Sequence, residues 1–252
     1  MVGCGGSSSG GNGGGGNQNS SITSGNWYVE ATSTLLSGQK SYIGGSLIQT
    51  GTTIAGTTHI DNSNCYDLFD DDVPFTGTVS GSSVTLTSGS VTGQVIRVTG
   101  TITSANNISG TYTIRGGCAD GDSGSIIGMH VPSISGTWKA TEVSGSTTIT
   151  TTAAITQQST ASADGSYPLS GTITFTNSPC ATTATIDSIS FVSGDIVAVS
   201  ATTNESGGGH GQLIFVGYMN NPAAATALEG GYEFASGVCT QSTMTNLNFT
   251  KQ

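Results

Sequence analysis

The sequence predicts an all-β protein made of two tandem eight-stranded, up-and-down antiparallel β-barrels, each with one disulfide. Three observations support this. Thr, Ser, Gly, Val and Ile dominate in alternating order, one set of landmarks occurs twice, and four of the five cysteines fall at matching positions of the two copies. Alternating β-branched residues joined by tight-turn residues are typical of half-buried strands. Two β-sandwiches are the alternative, since both architectures use such strands.

The duplication rests on five landmarks that recur in the same order with a nearly constant offset. The pairs are "SGNWYVE" with "SGTWKATE", "GTTHIDNSNC" with "GTITFTNSPC", "VSGSSVTLTS" with "VSGDIVAVSA", "GQVI" with "GQLI", and "SGTYTIRGGC" with "EGGYEFASGVC". Low complexity alone does not reproduce Trp, Cys and Tyr in register. The repeats predict a flexible Gly/Ser/Asn segment over residues 1–21 and β-barrels over 22–131 and 132–252, joined by "VPSIS".

Eight strands follow one another in the first copy, with Gly, Ser, Asn and Asp in the links, as hairpin turns require. In chain order they are "NWYVEATSTL", "SYIGGSLIQT", "TTIAGTTHI", "FTGTVS", "SVTLTS", "QVIRVTGTI", "ISGTYTI" and "SGSIIGMHV". Val84 and Leu86 fall on one face of the fifth strand, with Thr85 on the other. Glycines inside strands, such as Gly44 and Gly100, permit the coiling that a closed barrel needs.

Composition excludes several classes of partner. The formal net charge is -10 with only five Lys and Arg, so the chain has no basic footprint for nucleic acid and no basic patch for anionic lipid. No long helical period is present, and no apolar run is long enough to span a membrane as a helix.

The cysteines predict one disulfide in each copy. Cys65 matches Cys180 and Cys118 matches Cys239, so pairing within each copy is the simplest connectivity. In an up-and-down order the loops after strands three and seven lie at the same end, which makes the Cys65–Cys118 bridge geometrically plausible. A metal-thiolate site is the rival interpretation, but close cysteine pairs and histidine partners are lacking. Disulfides indicate an extracytoplasmic protein.

Cys4 is left over, and its context resembles a bacterial lipobox. Val2-Gly3-Cys4 is similar to the end of that motif, and seventeen Gly, Ser, Asn and Gln residues follow, as in the tether of mature lipoproteins. The resemblance implies lipidation of Cys4, anchoring to the bacterial outer membrane or cell surface, and a signal peptide. No basic n-region or apolar h-region precedes Cys4 in the printed sequence, which indicates a mis-assigned start or a trimmed chain.

Each copy begins with Gly-x-Trp, at Gly25–Trp27 and Gly136–Trp138. Together with eight meandering strands, this resembles the calycin group, which includes lipocalins and avidins. The segment "GTYTIRGGCADGDSG" is also similar to repeats of uncharacterised extracytoplasmic proteins. The calycin resemblance implies that the tryptophan closes one end of the barrel and that the other end binds a small apolar molecule. By analogy, the cysteine loops would surround that open end.

Acidic residues cluster after the two cysteines of the first copy. The cluster consists of Asp67, Asp70, Asp71, Asp72, Asp120 and Asp122. Oxygen-rich loops with Gly turns suit a hard cation, so calcium is the candidate metal, and a solvated acidic rim is the alternative. Phe69 and Phe75 beside these loops are candidates for the lip of a ligand site, with loop packing as the alternative.

No catalytic constellation emerges from the sequence, so we expect no enzyme. "GDSG" at 121–124 resembles the serine context of chymotrypsin-like proteases, but the other motifs of that family are absent, and nothing in the spacing groups His59, His130 and His210. No cofactor is expected apart from possible Ca²⁺. We therefore expect a non-catalytic envelope protein that binds a small apolar ligand or a surface glycan. The alternative is a structural or adhesive protein without a ligand.

Overall fold

The computed structural model describes residues 20–68, 71–237 and 244–252, and no helix occurs in these ranges. The described residues form seventeen strands. They are β1 (Gly25–Ser33), β2 (Lys40–Thr50), β3 (Thr53–Asp61), β4 (Val73–Ser80), β5 (Ser83–Ser88), β6 (Val95–Ser104), β7 (Asn107–Arg115), β8 (Ser123–His130), β9 (Gly136–Ser144), β10 (Thr147–Gln157), β11 (Tyr167–Thr176), β12 (Ala181–Ile186), β13 (Phe191–Ser193), β14 (Ile196–Glu205), β15 (His210–Met219), β16 (Ala227–Ser236) and β17 (Thr245–Lys251).

In the part of the chain that the structure describes, no helix is long and apolar enough to cross a membrane.

The first barrel is closed and follows the chain order. Each strand from β1 to β8 pairs antiparallel with the next, and β8 returns to pair with β1, where Trp27 lies opposite His130. Val84 and Leu86 are buried and Thr87 is exposed, so the alternation along β5 separates the interior from the outer wall. The predicted eight-stranded up-and-down barrel is confirmed.

The second barrel is also closed, but one of its eight strand positions is divided. β9 pairs with β10 and with β17, and β10 pairs with β11, which completes the ring. Between β11 and β14 the position is shared by β12 and the short β13. The intervening residues leave the strand ladder as a bulge, in which the Asp187 carboxylate accepts hydrogen bonds from Ser200 Oγ (3.0 Å) and Thr202 Oγ1 (2.9 Å).

One end of each barrel is closed by a buried tryptophan. Trp27 and Trp138 are 1% and 0% exposed, and each indole Nε1 donates to the carbonyl four residues earlier, at Thr23 and Ile134 (both 2.8 Å). The middle of each barrel is filled by side chains, leaving cavities of only about 30 Å³ in the first barrel and 40 Å³ in the second. Such spaces hold about one or two water molecules, so room for a ligand remains only beyond the filled core.

The two barrels pack against each other through β13 and the turn that follows it, which contact β1 and β2. The Asn26 side chain forms two hydrogen bonds with Gly194: Nδ2 donates to the carbonyl (2.9 Å) and Oδ1 accepts from the amide (2.7 Å). Val131 and Ile134 of the linking segment are buried in the core of the second barrel, together with Tyr28 of β1. The link is therefore part of a packed interface.

Candidate ligand-binding site

A cavity of about 280 Å³ opens at the end of the first barrel opposite Trp27. We call this cavity the first cup. Strands β1, β2, β3, β6 and β7 and the loops after β1, β3 and β7 form its wall. Its lining residues are Ala31, Leu35, Leu36, Gln39, Ser41, Ile43, Ile60, Ser63, Asn64, Cys65, Tyr66, Ile96, Tyr112, Ile114, Cys118, Ala119, Asp120 and Asp122. The lining is mainly apolar, and the strand residues in it come from the inward-facing rows of the barrel.

A disulfide and a glutamine hold the rim of the first cup together. Cys65 and Cys118 are bonded, with Cα atoms 5.7 Å apart, as predicted. The fully buried Gln94 donates from Nε2 to the Cys65 carbonyl (3.1 Å) and accepts at Oε1 from the Ala119 amide (2.9 Å). Gln94 therefore joins the two cysteine loops. The recurrence of "GQVI" as "GQLI" was the sequence signal for this residue, although the pattern did not reveal its role.

A buried carboxylate network forms one side of the first cup. Asp122 is 7% exposed and accepts hydrogen bonds at Oδ2 from Tyr112 OH (2.8 Å) and at Oδ1 from Ser33 Oγ (2.6 Å). Burial, together with the Asp122 carboxylate, raises the pKa of Tyr112 to about 12. Because these groups already satisfy one another, they define the shape of this side of the cup and offer few free polar contacts there.

Tyr66 also lines the first cup, but its hydroxyl has no hydrogen-bond partner among the described residues, unlike that of Tyr112. The Tyr66 hydroxyl is the one buried side-chain polar atom in the described ranges that lacks such a partner. Burial, with a contribution from Asp71, raises the pKa of Tyr66 to about 12. The hydroxyl is shielded from solvent, so the ring of Tyr66 forms the accessible wall. The cup therefore presents an apolar surface here.

The structure places two exposed leucines at the mouth of the first cup. Leu35 and Leu36 lie in the loop after β1 and are 63% and 53% exposed. Sequence reasoning missed them, although a leucine pair just before the turn "SGQ" was a visible signal. Phe75, a predicted lip residue, is buried on β4 and lines the small interior cavity of the first barrel, because its side chain follows the inward row. Phe69, the other predicted lip residue, lies outside the described residues.

The described members of the predicted calcium set do not form a common cluster. Those described are Asp67, Asp71, Asp72, Asp120 and Asp122, and Asp70 lies outside the described residues. Asp122 faces the barrel interior, Asp120 Oδ1 accepts from the Gly116 amide (2.7 Å), and Asp71 Oδ2 accepts from the Asp67 amide (2.7 Å). Among the described residues no three His, Cys, Asp or Glu side chains are grouped to hold a metal ion. Calcium binding by this set stays a prediction.

A chain of two polar contacts through His59 connects Ser193 of the second barrel with Asp72 of the first. His59 Nδ1 lies 3.1 Å from Ser193 Oγ, and His59 Nε2 lies 3.3 Å from Asp72 Oδ1. A hydrolase would need the serine open to substrate. Ser193 is 1% exposed and His59 is 8% exposed, since both lie in the contact between the barrels. This chain of contacts therefore joins β13 to the first barrel.

The remaining cysteines are described in part. Cys180 is disulfide-bonded. Its predicted partner Cys239 and the predicted lipidation site Cys4 both lie outside the described residues. The chain matches no protein-family model, and no curated protein shows significant similarity to it.

Proposed function

We propose that this protein is a non-catalytic binding module that takes a small apolar molecule into the first cup. The observation that carries the proposal is an open, mainly apolar cavity of about 280 Å³ with Leu35 and Leu36 exposed at its mouth. Burying exposed apolar surface is favourable by about 25 cal/mol per Å². The volume lies near the small end of ligand sites, which span about 300–1,000 Å³.

An apolar ligand suits the first cup better than a surface glycan. A glycan needs several free hydrogen-bonding groups inside its site, whereas the buried Asp122 is already bonded to Tyr112 and Ser33. Other polar lining residues, such as Gln39 and Asn64, are exposed. The strand residues that face the cup are mainly aliphatic. The chemical class that this lining favours is a short aliphatic chain.

The proposal includes an extracytoplasmic location and a lipid anchor on Cys4. The Cys65–Cys118 disulfide supports an oxidising compartment. The segment after Cys4 contains seventeen Gly, Ser, Asn and Gln residues, a composition that gives flexible linkers. A lipid on Cys4 would hold the barrels near a membrane surface through this tether. Intact-mass measurement of protein from its native host tests the anchor, because an unmodified Cys4 would contradict it.

The binding proposal is tested by calorimetric titration with a series of straight-chain 1-alkanols. Each added CH₂ should tighten binding about fourfold, which corresponds to about 0.8 kcal/mol, until the first cup is full. Leu36→Glu should weaken binding about five- to tenfold, because it removes part of one leucine contact. Ile127→Glu is the matched control, since Ile127 is 55% exposed and lies on β8. Absence of binding, or equal effects of the two variants, would contradict the proposal.

The filled barrel interiors favour a second candidate, a structural or adhesive envelope protein. Interior cavities of about 30 and 40 Å³ match what a ligand-free scaffold would have. The same alkanol series separates the two functions. Affinity that rises with chain length and depends on Leu36 supports binding, whereas no affinity for any alkanol supports the structural role.

A further inference from the structure

The second barrel also has an open end, and its chemistry differs from that of the first cup. A cavity of about 240 Å³ lies opposite Trp138. We call it the second cup. Three aromatic rings and one carboxylate line it, those of Phe175, Tyr232, Phe234 and Glu142. No lysine or arginine is among its described lining residues.

The rings form one continuous aromatic wall. Phe234 lies in the middle, with ring centroids 6.1 Å from Phe175 and 6.0 Å from Tyr232. The Phe175–Phe234 pair is tilted by 49°, and the Tyr232–Phe234 pair is nearly perpendicular at 83°. Ring faces carry negative electrostatic potential, which attracts cations.

The carboxylate adds a full negative charge beside this wall. Glu142 continues the inward row of β9 after the buried Trp138 and Ala140. Its Oε1 and Oε2 accept from Tyr232 OH at 2.8 and 2.9 Å. Burial and this carboxylate raise the pKa of Tyr232, so the phenol stays protonated and holds the carboxylate in place. No cationic side chain of the described residues forms a salt bridge with Glu142.

The repeat shows that the two cups have diverged at matching positions. The landmark pairs align Ala31 with Glu142, Ile60 with Phe175, and Ile114 with Phe234. Tyr112 and Tyr232 are retained, and each donates its hydroxyl to a carboxylate. At the three changed positions, aliphatic side chains of the first cup are replaced by one carboxylate and two aromatic rings in the second. The carboxylate of the second cup lies on β9 beside three rings, whereas Asp120 and Asp122 of the first cup lie on the loop after β7. This difference indicates a different ligand class.

We propose that the second cup binds a small organic cation, an ammonium group carrying apolar substituents. The aromatic wall attracts the positive charge through cation–π contacts, and Glu142 neutralises it. The apolar substituents pack against the rings, which a hydrated metal ion would not do. This inference concerns a separate cavity and does not depend on ligand binding in the first cup.

The test compares choline with its neutral isostere 3,3-dimethylbutan-1-ol by calorimetric titration of the full chain. Both titrations contain octan-1-ol, which occupies the first cup if the function proposed above is correct. Choline should bind about tenfold more tightly than the isostere, as expected for cation–π and charge contacts. Equal affinities, or no binding of choline, would overturn the inference and leave the function of the first cup unaffected.

Two variants and one control test whether choline binds in the second cup. Glu142→Gln keeps an acceptor for Tyr232 OH and should abolish the preference for choline over the isostere. Glu229→Gln removes the same charge from an exposed position on β16 and should preserve the preference. Phe175→Leu removes one ring and should weaken choline binding about threefold or more, and should weaken binding of the isostere less, because leucine keeps an apolar contact. If Glu142→Gln behaves like Glu229→Gln, choline is not bound in the second cup.

Discussion

At the scale of single residues, the tyrosines of the first cup show how the same side chain serves opposite roles. Tyr112 donates its hydroxyl to Asp122, whereas the hydroxyl of Tyr66 is buried without a partner. A hydrogen bond to a charged group stabilises by about 1.5–3 kcal/mol, and an unmet buried hydroxyl costs about 1–3 kcal/mol. Removing the two hydroxyls should therefore change stability in opposite directions.

We predict that Tyr66→Phe raises the free energy of unfolding by about 1 kcal/mol, because it removes an unpartnered polar group. Tyr112→Phe should lower it by about 1–2 kcal/mol, because it leaves Asp122 without one of its donors. Urea denaturation of both variants and the wild type measures these changes. Destabilisation by both substitutions would show that Tyr66 OH has a partner in solution.

At the scale of strands, the sequence predicted eight strand positions per barrel and their antiparallel order. It did not predict that one position of the second barrel is divided between two strands. Alternation in segments such as "SVTLTS" and the five recurring landmarks were sufficient to predict two closed barrels and the Cys65–Cys118 disulfide. The division between β12 and β13 was not predictable, because the sequence pattern does not show that Asp187 meets Ser200 and Thr202 across the sheet. Likewise, the inward position of Phe75 depends on strand register, which composition does not fix.

We predict that Asp187→Ala destabilises the protein by about 1–2 kcal/mol, because the Ser200 and Thr202 hydroxyls lose a charged acceptor. Ile189→Ala is the control in the same bulge. Ile189 is 70% exposed, so its loss should change stability by less than about 0.5 kcal/mol. Chemical denaturation compares the two variants, and similar effects would mean that the Asp187 contacts do not hold the bulge.

At the scale of the whole molecule, two barrels behave as one unit only if their interface is specific. Gly44 of β2 meets Gly194, where a Cβ on Gly44 would lie 2.8 Å from the Gly194 backbone. Gly194 also has a φ of +58°, which favours glycine. The sequence showed glycines in both places, but only the structure shows that they touch. This close contact and the buried linking segment both hold the two barrels together.

We predict that Gly44→Ala weakens the contact between the barrels, since backbone atoms of Gly194 must move to admit the methyl group. The cost should be about 1–3 kcal/mol, the range seen for overpacking. Differential scanning calorimetry should show a lower transition temperature or two separated transitions. Gly51→Ala is the control for adding a methyl group without crowding, because nothing lies within 4 Å of the added Cβ. The φ of +61° at Gly51 adds local strain to this control. An unchanged Gly44→Ala transition would contradict the close packing.

The interface also makes stability depend on pH through Asp195, next to Gly194. Burial raises the pKa of Asp195 from 3.8 to about 6, with Asp61 of the first barrel contributing. Between these pH values the folded protein keeps the proton while the unfolded chain loses it. Stability contributed by this group is therefore full below about pH 4 and is lost as pH rises towards 6.

Asp195→Asn removes this titration, so the variant should gain stability over the wild type as pH rises from 4 to 7. The gain should reach about 2–3 kcal/mol at pH 7, from about 1.4 kcal/mol for each unit of pKa difference. Glu229→Gln on the exposed wall controls for the loss of one charge. Urea denaturation at several pH values measures the difference. A constant difference between Asp195→Asn and the wild type across this range would show that Asp195 ionises in the folded protein as it does in the unfolded chain, and that the barrels are not packed over it in solution.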